Sequence, residues 1–139
     1  MTTRRTAACA CGELKVDLVG EPAAVFTCHC QQCQRRSGSA FGLSAYFERG
    51  VSAVNGRTTS FRRPTESGRT IEFHFCPLCG STVLWYAEAF PEHVGIAAGS
   101  FADPKFIPPT FAGWTAYKHD WVEFPPGFPQ ALAGEDPRT

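Results

Sequence analysis

The chain has no apolar run approaching the ~18 residues of a membrane-spanning helix. Its first residues, Met1-Thr2-Thr3-Arg4-Arg5, lead into no apolar segment of the secretory kind. A cytoplasmic protein without a membrane partner is expected. Charge of one sign is not in excess, because thirteen Lys and Arg balance thirteen Asp and Glu. No basic field is therefore available to recruit nucleic acid. Neither a Gly-rich phosphate loop nor a Gly-x-Ser-x-Gly elbow is present, so nucleotide hydrolysis and serine-hydrolase chemistry lack their usual parts. Long stretches of 3.6-residue periodicity are also missing. There is one Met against twelve Phe, three Trp and three Tyr, and there are eleven Pro and thirteen Gly. Together these predict a mainly β protein of short strands and turns around an aromatic core, with at most a short helix.

Cysteine is abundant instead. Seven fall in three groups: Cys9-Ala10-Cys11, Cys28-His29-Cys30-Gln31-Gln32-Cys33 and Cys76-Pro77-Leu78-Cys79-Gly80. In a reducing compartment, closely spaced thiols are more often metal ligands or catalytic groups than disulfides, and an odd count fits disulfides poorly. The length of 139 residues suits one domain. Residues 1–5 are expected to be a loose end, 6–132 a single zinc-binding domain, and 133–139 a disordered tail.

Between the cysteine groups the pattern is that of strands. Ala7 to Cys11 reads as a strand, and Glu13 to Leu18 alternates polar and apolar residues, as a half-buried strand does. Ala23 to Cys28 leads into the central group. Gln31 to Ser37 has helical composition, with Gly38 placed to end it. Ala40 to Phe47 is a further strand. Val51 to Val54 and Thr58 to Phe61, joined through Asn55-Gly56, carry the strongest short hairpin signal. In Arg69 to Cys76, Ile71, Phe73 and Phe75 share one face. Thr82 to Tyr86, Val94 to Phe101 and Phe111 to Tyr117 complete the strands, with Trp121 and Phe124 anchoring the exit.

A tetrahedral zinc with Zn–S near 2.3 Å holds its sulfurs ~3.8 Å apart. A Cys-x-x-Cys turn followed by Gly reaches that spacing, as at Cys76 to Gly80, where Gly80 permits the left-handed backbone that closes the knuckle. Alternate residues of a strand also reach it, which suits Cys9 and Cys11. These two pairs complete one four-thiolate, structural site. Cys28, Cys30 and Cys33 then hold a second zinc with the fourth position left for a ligand, the arrangement of a catalytic ion. Such an ion keeps an incoming thiol ionised at neutral pH. With four and three thiolates respectively, the loaded chain carries a net charge of about −3.

Two alternatives remain open from the residues alone. A histidine (His29, His74, His93 or His119) closes the second site and makes both structural, or Cys9 and Cys11 pair with two central thiols. His29, between two ligands, is expected to point away from the metal. Arg35 and Arg36 are candidates to grip the carboxylates of a small anionic thiol, against a plain solvated helix face. Trp85, Trp114, Tyr117 and Trp121 suit core packing better than a pocket lining. Glu72, His74 and Asp120 are possible proton carriers that nothing in the sequence singles out.

Cys-x-Cys-Gly at Cys9 to Gly12, Cys-His-Cys-x-x-Cys followed by Arg and Ser-Gly at Cys28 to Gly38, and Phe-Cys-x-x-Cys-Gly-Ser at Phe75 to Ser81 occur here in that order. In this the chain resembles the glutathione-dependent formaldehyde-activating enzyme family, which includes centromere protein V. Gly99 to Pro104 and Tyr117-Lys118-His119-Asp120-Trp121 resemble later landmarks, the second loosely, with Tyr117 where Ser is usual. The resemblance runs from about Thr6 to Leu132. It implies a β-tent fold of antiparallel sheets with zinc knuckles. It also implies a structural zinc on Cys9, Cys11, Cys76 and Cys79 and a catalytic zinc on Cys28, Cys30 and Cys33. The implied partners are glutathione, or a similar small thiol, and formaldehyde or another small aldehyde. The implied reaction is carbon–sulfur lyase chemistry on S-hydroxymethylglutathione. A zinc protein of the same fold that binds a thiol, a metal or a protein without catalysis is the alternative.

Overall fold

The structure is a computed structural model that describes residues 3–65 and 68–133. Its strands are β1 (Arg4–Ala8), β2 (Lys15–Val19), β3 (Ala24–Cys28), β4 (Gly42–Glu48), β5 (Ser52–Asn55), β6 (Thr59–Pro64), β7 (Thr70–Phe75), β8 (Thr82–Ala87), β9 (His93–Ala97) and β10 (Phe111–Gly113). One α-helix, α1 (Gln31–Ser37), follows β3. Short 3₁₀ turns occupy Arg49–Val51, Ala98–Phe101 and Thr115–Tyr117. The protein is mainly β, as its short alternating segments require. The chain forms two compact units, Met1–Ala23 with Ala45–Phe106, and Ala24–Ser44 with Ile107–Thr139.

In the first unit, β1, β2 and β5 form an antiparallel sheet in that order, with Thr6 opposite Asp17 and Lys15 opposite Asn55. The alternation in β2 determines its facing: Val16 and Leu18 are buried, whereas Lys15 and Asp17 are exposed. With Leu14 they belong to the fully buried core, each side chain contributing about 1.5–3 kcal/mol. A second run pairs β9, β8, β7 and β6 in that order. Phe73 of β7 faces Trp85 of β8 across this sheet, and the Trp85 indole N–H donates to the Tyr46 hydroxyl at 3.0 Å. A register shift between His74 and Phe75 ends the regular pairing just ahead of Cys76. Such bulges re-aim a chain leaving a sheet.

In the second unit, β10 runs parallel to β3, with Phe111 opposite Phe26 and Gly113 opposite Cys28. The ladder continues one step, since His29 N–H donates to the Gly113 carbonyl at 2.9 Å. Helix α1 has the bounds expected from its composition. Gly38 stands just beyond it at φ 66°, its N–H donating to the Gln34 carbonyl at 2.8 Å.

Several expectations are corrected. The first strand begins at Arg4 and stops at Ala8, so Arg4 and Arg5 are paired, not loose. Cys9 and Cys11 lie in the following turn, which closes through Gly12 N–H to the Cys9 carbonyl at 3.1 Å. The hairpin through Asn55-Gly56 does not form, because β5 pairs with β2 and β6 with β7. Gly56, at φ 98°, serves a close approach instead: a Cβ there would stand 1.8 Å from the Glu13 carbonyl oxygen. The last strand ends at Gly113, because Trp114 turns into the left-handed region at φ 56° and a 3₁₀ turn follows. Trp121, 71% exposed, and Tyr117, 47% exposed, belong to no core; Phe124 instead stacks on Phe128. The expected tail beyond Ala133 lies outside the described residues.

Candidate metal centres

Among the described residues, two groups of metal-ligating side chains converge with their ligand atoms within 4.8 Å of one another. They are Cys9, Cys11, Cys76 and Cys79, and separately Cys28, Cys30 and Cys33. All seven thiols are free. The division is four and three, and no histidine joins either group.

The four-cysteine group belongs to the first unit. Its Cys9 and Cys11 sulfurs are 3.7 Å apart, as are those of Cys11 and Cys76. This matches the ~3.8 Å edge of a tetrahedral zinc–sulfur site. The turn after β1 brings Leu14 N–H to the Cys9 sulfur at 3.2 Å, and the knuckle after β7 brings Leu78 N–H to the Cys76 sulfur at 3.4 Å. The knuckle closes through Gly80 N–H to the Cys76 carbonyl at 2.8 Å, with Gly80 at φ 79°. Backbone donors aimed at sulfur favour the thiolate and fix its direction. The donor set therefore fits a four-thiolate metal site.

Two supporting residues escaped the sequence reading. Ser81 accepts from Ala10 N–H at 3.1 Å, and its hydroxyl lies 3.3 Å from the Cys79 sulfur, so it ties the two cysteine turns together. That hydroxyl, helped by backbone donors, holds the Cys79 thiol down at about 5. Arg57 pairs with Glu13 at 2.9 Å and lies within the field of Cys76 and Cys11. The Ser following Cys-Gly was a visible signal for the first; the second has no local signature.

The three-cysteine group belongs to the second unit and is built from consecutive chain. Cys28 ends β3, Cys30 is the N-cap of α1, and Cys33 lies in its first turn. The Cys30 sulfur accepts from Cys33 N–H at 3.3 Å. Hydrogen bonds from the Cys28 and Cys33 thiols pull Cys30 down to about 2, while bonds to Cys30 and Cys33, with burial, push Cys28 up. Three sulfurs within 4.8 Å of one another, one of them already accepting from a backbone N–H, also fit a metal.

His29, fully buried between two of these cysteines, turns to other partners. Its Nε2 lies 3.0 Å from the Thr27 hydroxyl, and its ring packs on Phe41 at 5.1 Å and edge-on to Phe124 at 5.6 Å. Burial, with the charges of Lys118 and His119, lowers its pKa. Gln34 fixes the backbone behind the ligands. Its side-chain amide donates to the His29 carbonyl at 2.8 Å and the Tyr117 carbonyl at 3.0 Å. Carbonyls only accept, so the amide oxygen must face His119 Nε2, 3.0 Å away, and that nitrogen carries the proton. Of the two candidate arginines, Arg35 is exposed, and Arg36 is half-buried beside Cys33 and Gly42. An open groove of about 670 Å³ is lined by Lys118, Val122, Phe124, Phe128 and Gln130 among others. Glu72 and His74 bond to each other at 3.0 Å in the first unit, with His74 also 3.3 Å from the Thr58 hydroxyl.

A mainly β fold carrying one four-thiol and one three-thiol cluster defines a cysteine-rich protein suited to metal. The model of the family described as glutathione-dependent formaldehyde-activating enzyme matches residues 4–117, through both units. The chain belongs to that family. A crystal structure of a Rhodobacter sphaeroides protein, a structural-genomics target, is similar in fold, with a TM-score of 0.56 at 21% identity over 75% of this chain and 91% of that one. The curated proteins contain no match. No helix among the described residues is long and apolar enough to cross a membrane.

Proposed function

We propose that the protein is a zinc-dependent enzyme of carbon–sulfur lyase type. Its substrate is a glutathione adduct, or a related small-thiol adduct, such as S-hydroxymethylglutathione. One zinc, on Cys9, Cys11, Cys76 and Cys79, is structural; the other, on Cys28, Cys30 and Cys33, is catalytic. The observation that carries this reading is the unequal division of sulfur, since the described residues give the second cluster three ligands and no fourth. Family membership supports the choice of thiol and aldehyde.

The zinc, when bound, supplies a positive centre that favours the ionised form of an incoming thiol. The chain's own residues position and shield. Cys28, Cys30 and Cys33 mark where the substrate sulfur arrives, and Gln34 holds their backbone. In the synthetic direction a carbon–sulfur bond forms as the carbonyl π bond of formaldehyde breaks, and the oxygen takes up the proton the thiol released. The lyase direction is the reverse.

Thiols and formaldehyde also combine unaided, and three thiolates reduce the Lewis acidity of any zinc they hold. The test must therefore measure rate. Magnetisation-exchange NMR with labelled formaldehyde and glutathione should show faster interconversion with the wild type than with Cys33→Ser. Equal rates would leave a thiol- or metal-binding protein without catalysis.

A further inference from the structure

We infer that Arg36 is the positive charge that offsets the thiolates of the three-cysteine cluster, seated beside Cys33 because residue 42 is glycine. The inference rests on reading that cluster as a thiol-binding zinc site, and it reassigns Arg36 from gripping substrate carboxylates to acting through Cys33.

The position of the guanidinium is set by packing. The point where a Cβ on Gly42 would stand is 2.8 Å from Arg36 Nη2, 3.4 Å from Cys33 Cβ and 3.7 Å from Cys33 Sγ. The guanidinium and the sulfur therefore flank one small space, which any side chain at position 42 would fill. Gly42 is itself buried, as is Arg36 Nε. Arg35, the next residue along the helix, is exposed, so the two arginines are not interchangeable. Arginine suits this location because it stays charged when partly buried.

The charge is needed on simple accounting. A divalent ion with three thiolates carries −1, and a fourth thiolate, arriving as its proton leaves to water, makes it −2. Excess charge at half-buried sulfurs is costly unless an opposite charge stands close. Among the cationic side chains, Arg36 is placed for this by the contacts around Gly42.

The two roles for Arg36 predict different results with two thiols. The cobalt(II)-loaded full chain is titrated with glutathione, which carries carboxylates, and with 2-mercaptoethanol, which does not, following the cobalt–thiolate absorption. Arg36→Gln should weaken both thiols by roughly tenfold, and Arg36→Lys should stay within about threefold of wild type because the charge remains. Gly42→Ala should shift both in the direction of Arg36→Gln, since the added methyl displaces Nη2. Loss for glutathione alone would make Arg36 a carboxylate clamp and overturn the inference. So would unchanged binding of both thiols, or a lysine variant no better than glutamine.

If the wild type shows no thiol-dependent change, the thiol-site reading fails, and chelator competition decides the inference. Arg36→Gln should then lose metal from the three-cysteine cluster roughly tenfold faster than wild type, with Arg36→Lys close to wild type. An unchanged rate contradicts it. Metal retained by the four-cysteine cluster reports folding throughout; should Arg36→Gln not fold, Arg36→Lys and Gly42→Ala carry the same comparisons.

Discussion

The two cysteine clusters use the same atoms for different ends. In the four-cysteine cluster, Cys11 and Cys76 are 65 positions apart, so a metal there closes a long loop and ties the turn after β1 to the knuckle after β7. In the three-cysteine cluster every ligand lies within six consecutive residues, on a strand end and a helix cap. A metal there closes almost no chain. Loop-closure entropy and metal affinity thus add to folding at the first cluster and hardly at the second. The described residues give the first cluster four sulfurs and the second three. Two clusters of the same residue type thus differ in chain separation and in ligand number, and on the proposed function those two differences divide a structural from a reactive site.

That contrast can be broken most severely at the first cluster. Cys79→Ser should cost the fold, because structural zinc contributes about 10–16 kcal/mol against a total domain stability of about 5–15 kcal/mol. Circular dichroism and a chelator titration would show this; a folded variant with an unchanged melting curve would mean the first cluster is not structural. Next in size is Gly56→Ala, which sets a methyl against the Glu13 carbonyl beside the Cys11 turn. It should destabilise by about 3 kcal/mol in urea unfolding and speed metal loss from the four-cysteine cluster only.

Gln34→Glu addresses the other cluster. It replaces a donor with an acceptor facing the His29 and Tyr117 carbonyls, for a loss of about 1–2 kcal/mol. Two-phase metal release should then show faster departure from the three-cysteine cluster, with the slower phase unchanged. If both phases accelerate together, Gln34 has no special tie to that cluster.

Much of this was legible in the residues because it is local. Helix α1 and its Gly38 stop, the facing of β2 and the three cysteine groups all follow from neighbours in sequence. What could not be read were the partners. Asn55-Gly56 signals a turn in backbone angles, but the strands on either side pair elsewhere, and a glycine needed for close approach looks the same as one needed for a hairpin. The parallel pairing of β10 with β3 is likewise invisible to local pattern, as are the contacts of Ser81 with Ala10, Arg57 with Glu13, and Gln34 with Tyr117 and His119, all far along the chain. Trp121 misled because aromatic residues are good evidence of a core in aggregate and poor evidence one at a time.

The most direct test is the metal content of Cys33→Ser beside that of the wild type, read by elemental analysis with a melting curve on the same samples. The account predicts two zinc ions per wild-type chain, one per variant chain, and melting temperatures that nearly coincide. A variant that keeps both ions, or that loses its fold with the second, would contradict the division into one structural and one substrate-binding centre.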